Sequence, residues 1–211
     1  SIEFRYDLSL LSVKNTPYTI EGVCGNYSET YQVYKYDRPL NLGADGIYRV
    51  NGTEINTFFA YRYRDWMYES CKPIGLNVAQ IAMDASLIND PAAQVAYVKG
   101  QLDKAAQSGI MCLVALYLNG KAAGNAENYA NTEYIVSALK DHPAVYGWMS
   151  MDEPYNNMSN PEIELRDSYI AIRNNDPYHP VYLCEATPKW KEASKYVDVL
   201  CIDPYPGNHD D

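Results

Sequence analysis

Basic residues are few and scattered. In 211 residues, 17 Lys and Arg stand against 27 Asp and Glu, for a net charge of −10 at pH 7. Affinity for nucleic acid comes largely from clustered Lys and Arg that neutralise phosphates, so no nucleic-acid partner is expected. An acidic balance suits solubility, or a neutral or cationic ligand. No apolar run approaches the roughly 20 residues that cross a bilayer as a helix, so no membrane span is expected. Cysteine occurs at positions 24, 71, 112, 184 and 201 without a Cys-x-x-Cys or Cys/His metal spacing, and four of the five fall inside apolar runs. They read as free thiols that behave as small buried hydrophobes. No Gly-rich phosphate loop follows any candidate strand, which removes support for a nucleotide-binding sheet. No cofactor and no metal site is expected. Three Asn-x-Ser/Thr triplets, at Asn26, Asn51 and Asn157, are about what chance gives in a chain this rich in Asn.

What is present is a repeating unit. Apolar runs that suit buried strands begin near residues 57, 77, 111, 145, 181 and 198, and the middle ones are 34 to 36 residues apart. Between them lie helical patterns. In RDWMYESCKPIG, Met67, Cys71 and Ile74 share a helical face and Gly75 supplies the stop. In NDPAAQVAYVKGQLDKAAQSG, Asp90 is placed as N-cap, Pro91 sits at the first helical position, Val95, Val98, Leu102 and Ala105 form the stripe, and Gly109 ends it. A third helix is predicted over 127–140 and a fourth from Asn160-Pro161. Thr187-Pro188 opens a short one. Uniformly apolar strands separated by amphipathic helices predict a parallel sheet covered on its faces. Asp84, Asn119, Asp152 with Glu153, Glu185 and Asp203 all fall at the carboxyl ends of their strands, the end where (β/α)8 barrels build their sites. The expected fold is therefore an α/β, (β/α)8 TIM barrel represented by strands 1 to 6. All these polar groups should face one end of it. Residues 1–40 are short-period, Tyr-rich and β-like, as in the end of a preceding β-module, and 41–211 form the partial barrel. DRPLNLGADGIYRVNGTEI reads as a hairpin around Asp45-Gly46 with a second turn at Asn51-Gly52.

The stretch DHPAVYGWMSMDEP resembles the strand-4 signature of clan A glycoside hydrolases, the retaining (β/α)8-barrel glycosidases. There an Asn-Glu-Pro or similar triplet presents the acid/base glutamate. The segments GIYRVNGTEI…FFAY, IGLNVAQI and DVLCIDPYP are also similar to parts of these enzymes, so the resemblance covers about residues 38–207. It implies hydrolysis of a β-linked oligo- or polysaccharide, a carbohydrate substrate as partner, Glu153 as general acid/base, and an extracellular or periplasmic location. It also places Asp152 and Tyr205 at the sugar; Asn119, Asp84, Glu185 and Asp203 join them as substrate-binding candidates from their strand ends. The clan usually has Asn where this chain has Asp152. An Asp still accepts from a sugar hydroxyl but sets a like charge beside Glu153. Trp148 and Tyr146 are expected in helix–sheet packing.

Retaining hydrolysis needs a second carboxylate about 5–5.5 Å from the first, and the clan carries it on strand 7. This chain stops eight residues past Asp203, so the nucleophile is expected outside it and the 211 residues alone are expected to be inactive. Two other readings compete. One is a catalytically silent carbohydrate-binding barrel, motivated by Asp152 and the absent nucleophile. The other is a metal-dependent barrel using Asp84, Glu153, Glu185 and Asp203 as oxygen ligands. Alternation counted back from inward-pointing strand ends puts Cys201 on the face of Asp203 and Cys184 opposite Glu185. That predicts thiols on opposite faces and no disulfide between them.

Overall fold

The structure is a computed structural model that describes residues 18–24, 27–33, 40–42, 45–50, 53–57, 59–60, 68–116 and 126–203. The predicted strand in IEFRYDLSLL lies outside these residues. Strands β1 (Tyr18–Cys24) and β2 (Tyr27–Val33) form an antiparallel pair, with Tyr18 opposite Val33 and Cys24 opposite Tyr27. Strands β3 (Leu40–Leu42), β4 (Tyr48–Val50) and β5 (Thr53–Glu54) make a second antiparallel sheet, as the two turn signals predict. Gly46 takes the left-handed conformation (φ +76°) that the first turn requires. Arg49 then ties the hairpin, reaching Asp45 at 2.7 Å and Glu54 at 3.0 Å. The Arg49 hydrogen bond, with the backbone N–H of Ile47, lowers the pKa of Asp45 to about 2.

The main sheet has six parallel strands in sequential order, β6 (Phe59–Ala60), β7 (Val78–Ala82), β8 (Met111–Ala115), β9 (Val145–Asp152), β10 (Val181–Glu185) and β11 (Val199–Ile202). Among the described residues β6 and β11 pair on one side only, so the barrel is incomplete. Helices α2 (Pro91–Gln107), α3 (Ala126–Leu139) and α5 (Pro161–Asn175) cross between the strands. Helix α2 starts as its sequence predicts. The Asp90 carboxylate accepts from Ala93 N at 2.9 Å, and Gly109 ends the segment at φ +69°.

One predicted helix is shorter than its pattern. Helix α1 covers only Tyr68–Cys71, and Lys72–Ile74 tighten into a 3-10 turn around Pro73. Proline has no N–H to continue the helix, and its ring crowds the preceding turn. Tyr68 is the buried anchor, while Ile74, assigned to the apolar stripe, is 73% exposed. Met67 lies outside the described residues. The helix expected to open at Thr187-Pro188 begins two residues later, as α6 (Trp190–Ala193).

Strand residues alternate between two packed faces. On the helix side, Ala79, Ile81, Cys112, Val114, Trp148 and Val181 meet Val98, Leu102, Ile135 and Ile172. On the other, barrel-interior side, Val78, Leu113, Ala115, Met149 and Tyr182 pack together, and Tyr48 from β4 joins them. Tyr146 belongs to this interior group rather than to the helix–sheet layer expected for it. Its ring lies 4.5 Å from that of Tyr48 and 5.9 Å from that of Tyr182, centre to centre. The Tyr48 and Tyr182 hydroxyls hydrogen-bond each other, and Tyr146 Oη pairs with Thr57 Oγ1 at 2.8 Å. Burial pushes all three phenols above their ordinary range. The hairpin thus floors the barrel at the amino ends of its strands.

Strand β9 is longer than its neighbours, and the excess is absorbed by two register shifts. Against β8, Cys112 faces Val145 but Leu113 faces Gly147; against β10, Tyr182 faces Met149 but Leu183 faces Met151. Such bulges change which face the following residues take. At the first shift there is no space for a side chain. A Cβ on Gly147 would lie 2.8 Å from the Pro180 carbonyl oxygen and 2.9 Å from the Tyr182 ring.

Beneath the sheet, Trp148 sits in the helix–sheet layer as predicted, and its indole N–H donates to Asp176 Oδ2 at 2.8 Å. His179 Nδ1 approaches the same oxygen at 2.6 Å, and the backbone N–H groups of Tyr178 and His179 donate to Oδ1 at 3.0 and 3.2 Å. Burial raises the pKa of Asp176, but His179, Trp148 and the Tyr178 N–H outweigh it, and the net shift is downward. A depressed folded-state pKa contributes stability that is present above the unfolded value, about 3.9, and lost as pH falls through the folded value. Asp176→Asn should therefore cost about 2 kcal/mol at pH 7, the scale of hydrogen bonds to a charged group. The gap to wild type should narrow as pH falls from neutral through the unfolded value and below. Urea unfolding across that range checks it, and a gap independent of pH would remove the assignment.

Candidate active site

The carboxyl ends of β7 to β11 lie at one end of the parallel sheet, and four of the sequence-predicted acids besides Asp152 sit there. Their side chains have different employment. Asp84 follows β7, and its carboxylate accepts from Ser86 N at 2.8 Å and Ser86 Oγ at 2.7 Å. Those two bonds, the hydroxyl's first, lower its pKa. Gln94 holds the Asp84 backbone from both sides, accepting from its N–H at 3.0 Å and donating to its carbonyl at 2.6 Å. Asp84 is thus tied into the loop that leads to α2. Asn119 and Tyr205 lie outside the described residues.

At the end of β9, the second register shift sets Asp152 opposite Cys184. Cys184 packs with the barrel-interior cluster, and opposed residues of a parallel pair share a face, so Asp152 is directed inward. Glu153 follows, half-buried, with φ +47° and ψ 55°. It is the one non-glycine residue with positive φ among those described. Its N–H donates to the Cys184 carbonyl at 2.8 Å, prolonging the β9–β10 ladder past the strand end. Pro154 then starts the single turn α4 (Pro154–Asn157). Two asparagines brace this turn. Asn156 Nδ2 donates to Glu153 Oε2 at 3.3 Å, and Asn157 Nδ2 donates to the carbonyls of Asp152 and Glu153 at 3.3 and 3.0 Å. Sequence reasoning passed over both. The signal was the spacing in EPYNN, which sets two amides three and four residues past the glutamate, within reach of a turn's free carbonyls.

Glu185 points the other way. Leu183, two residues earlier, packs with Met151, Leu165 and Ala193 on the helix side, and Glu185 shares that face by alternation. It is fully buried. Its oxygens accept from Thr187 N at 2.7 Å and Tyr155 N at 3.4 Å. The structure does not bring it to the interior with Asp152. Asp203 is half-buried, and its N–H donates to the Glu185 carbonyl at 3.2 Å.

This arrangement corrects the expectation for the two cysteines. Glu185 lies opposite Ile202, not Asp203, so the two strand ends cannot both point inward. Cys184 lies opposite Cys201, and the two thiols share the interior face. Both are free, as is Cys112. Burial first, then Asp152, Cys201 and Asp203, pushes the Cys184 thiol up to about 12, and burial also raises Cys201. Protonated thiols of this kind are poor nucleophiles. The inner mouth therefore carries Asp152 and Asp203 around two neutral thiols, with Glu153 at its rim. Among the described residues no group of three or more His, Cys, Asp or Glu is arranged to hold a metal ion. No helix among them is long and apolar enough to cross a membrane.

No protein-family model matches the sequence, and no curated protein matches it. Solved structures do match. A β-D-glucuronidase from Dictyoglomus thermophilum superposes with a TM-score of 0.57 at 19% identity, over 91% of this chain and 36% of that one. An endo-1,4-β-mannanase from Eisenia fetida gives 0.52 at 15%, over 74% and 64%. An endoglucanase from Pseudomonas stutzeri gives 0.51 at 18%, over 68% and 50%. The chain spans between about a third and two thirds of these proteins. At such identities the likeness shows the fold, which is the barrel fold of glycoside hydrolases.

The left-handed backbone at Glu153 has a measurable cost. Holding a non-glycine residue there is worth on the order of 1–3 kcal/mol of strain, whereas glycine enters that region freely but loses about 0.5–1 kcal/mol in chain entropy. Glu153→Gly should thus raise stability by about 1 kcal/mol, and Glu153→Val, β-branched, should lower it. Thermal melts of the three proteins check this; a Gly variant that melts below wild type would contradict the strained geometry.

Proposed function

We propose that this chain forms the acid/base part of a glycoside hydrolase that cleaves β-linked oligo- or polysaccharides with retention. The carrying observation is the placement of Glu153. It stands at the carboxyl end of the fourth parallel strand, partly exposed at the mouth, on a strained backbone of the kind that persists at functional sites. The fold is shared with a β-glucuronidase, a β-mannanase and an endoglucanase. In the first step the Glu153 carboxylic acid gives its proton to the glycosidic oxygen as the bond to the anomeric carbon breaks. A second carboxylate forms the glycosyl–enzyme bond. In the second step Glu153 takes a proton from water as that water attacks the anomeric carbon and releases the second carboxylate. Glu185 faces away from the interior and is withdrawn as a candidate for sugar contact. Asp152 and Asp203 keep that role, with Asn119 proposed from its place after the third strand of the sequence repeat and Tyr205 from the resemblance alone. We assign the nucleophile to a strand outside these 211 residues, and an extracellular or periplasmic setting suits a polysaccharide substrate.

A second reading, a silent carbohydrate-binding barrel, is favoured by one feature. Asp152 stands inward beside Glu153 where an Asn is the usual neighbour, and a carboxylate there accepts from a sugar hydroxyl but has no N–H to donate to it.

The two readings diverge in the natural polypeptide that carries this chain. Glu153→Gln is nearly isosteric and removes proton transfer, a contribution of about 10²–10⁴-fold. Turnover of a natural β-linked oligosaccharide should fall by that factor, and glycosylation of the enzyme by an activated aryl glycoside should fall much less, because its leaving group needs little protonation. Azide should partly restore turnover by attacking in place of water. Hydrolysis at the wild-type rate by Glu153→Gln would reject the assignment. Oligosaccharide binding without hydrolysis by the unaltered polypeptide would establish the silent barrel instead.

A further inference from the structure

Glu185 is a fully buried acid to which the mechanism gives no part. Burying a carboxyl group is costly unless its oxygens are satisfied, and here the partners are backbone N–H groups rather than a cation. Oε1 accepts from Thr187 at 2.7 Å, in the loop that leaves β10, and Oε2 from Tyr155 at 3.4 Å, in the first turn of α4. The backbone around it continues the pattern. The carbonyl of Cys184 accepts from Glu153 N at 2.8 Å, and the carbonyl of Glu185 accepts from Asp203 N at 3.2 Å. Residues 184 and 185 therefore hold the chain on both sides of the left-handed turn, at Glu153 itself and two residues beyond it. They also reach the end of β11.

We propose that Glu185 is a positioning residue for Glu153: its buried carboxyl fastens α4 to the end of β10 and so keeps Glu153 in the left-handed conformation that aims it across the barrel mouth. The catalytic consequence rests on the reading of Glu153 as acid/base, while the conformational claim stands without it. Strain at Glu153 needs a restraint on each side, because Asn156 and Asn157 belong to the same turn and move with it. Glu185 comes from a different strand.

The test uses Glu185→Gln, which keeps the size but sets an amide N–H₂ against one of the two backbone donors. In the 211-residue chain, amide hydrogen exchange of whichever donor meets the N–H₂, Tyr155 or Thr187, should speed up by about 10-fold or more, the equivalent of one lost hydrogen bond. Amides of β8 and β9 should hold within about twofold. The Glu153 amide–α-proton coupling should lose the value for positive φ. Pairing the change with Glu153→Gly supplies a second measure. If Glu185 restrains a strained residue, Glu185→Gln should destabilise the Glu153→Gly variant less than it destabilises wild type. That background also gives a folded protein to measure where the single variant does not fold. In the natural polypeptide, kcat should fall on the order of 10–100-fold with KM within about twofold, as for a misplaced catalytic group. Unchanged exchange at Tyr155 and Thr187, additive double-variant stabilities, or a loss of protection spread evenly over the sheet would each overturn the proposal. Absence of hydrolysis in the unaltered polypeptide would defeat the functional reading alone, and exchange and coupling would still decide this one.

Discussion

Strand β9 is packed between two shorter strands, and its surplus length has to go somewhere. All its residues from Val145 to Met151 are buried, so none can loop out into solvent. The surplus is instead taken up as two shifts of register, one against each neighbour. The first places Tyr146 and Gly147 together against Leu113 and needs the missing side chain of Gly147. The second falls at Ser150, whose hydroxyl donates to the Tyr182 carbonyl at 3.1 Å. It resets the phase so that Asp152 aligns with Cys184 on the inner face. Without it, simple alternation from Met149 would bring Met151 inward and turn Asp152 towards the helices. The chemistry at the mouth thus depends on an irregularity in the middle of the strand.

This explains where the sequence was legible. Apolar runs and their spacing located the strands of the main sheet, and capping chemistry located α2 at Asp90 and Gly109. Those features are local, and buried parallel strands leave few alternatives. Register was not legible, because a one-residue offset flips every later side chain, and nothing local in VYGWMSMDEP reveals a bulge. The expectations that Tyr146 packs against helices and that Cys184 and Cys201 lie on opposite faces failed for that reason, while the two thiols are free as expected. Glu185 and Asp203 were read as equivalent because both end strands, but β11 is aligned one residue out from that reading, with Glu185 opposite Ile202. Glu153 was legible because the turn that exposes it is written in consecutive residues. The shortened α1 was legible too, had Pro73 been given more weight than the apolar stripe.

The two ends of the interior differ in kind. At the amino ends, three buried tyrosines pair their hydroxyls with one another and with Thr57 at the edge of their layer, and the β3–β5 sheet closes over them through Tyr48. Polar atoms there are consumed by each other, which fixes the layer and leaves it nothing to offer a ligand. At the carboxyl ends, Asp152, Glu153 and Asp203 keep partial exposure. A rigid floor and a polar mouth on one scaffold is the division of labour expected when conformational freedom is confined to the end that meets a substrate.

The amide nitrogen of Asn157, with two hydrogens to donate, lies within hydrogen-bond reach of the carbonyls of both Asp152 and Glu153. Asn157 also opens the triplet Asn157-Met158-Ser159. An N-linked sugar replaces one of those hydrogens, so a modified Asn157 has a single donor for two acceptors. Sugar attachment and the closed turn are competing uses of one nitrogen. In a compartment that glycosylates, the order of events then matters: a chain that folds first has the nitrogen engaged, while a chain modified first completes its barrel mouth with one carbonyl left to water.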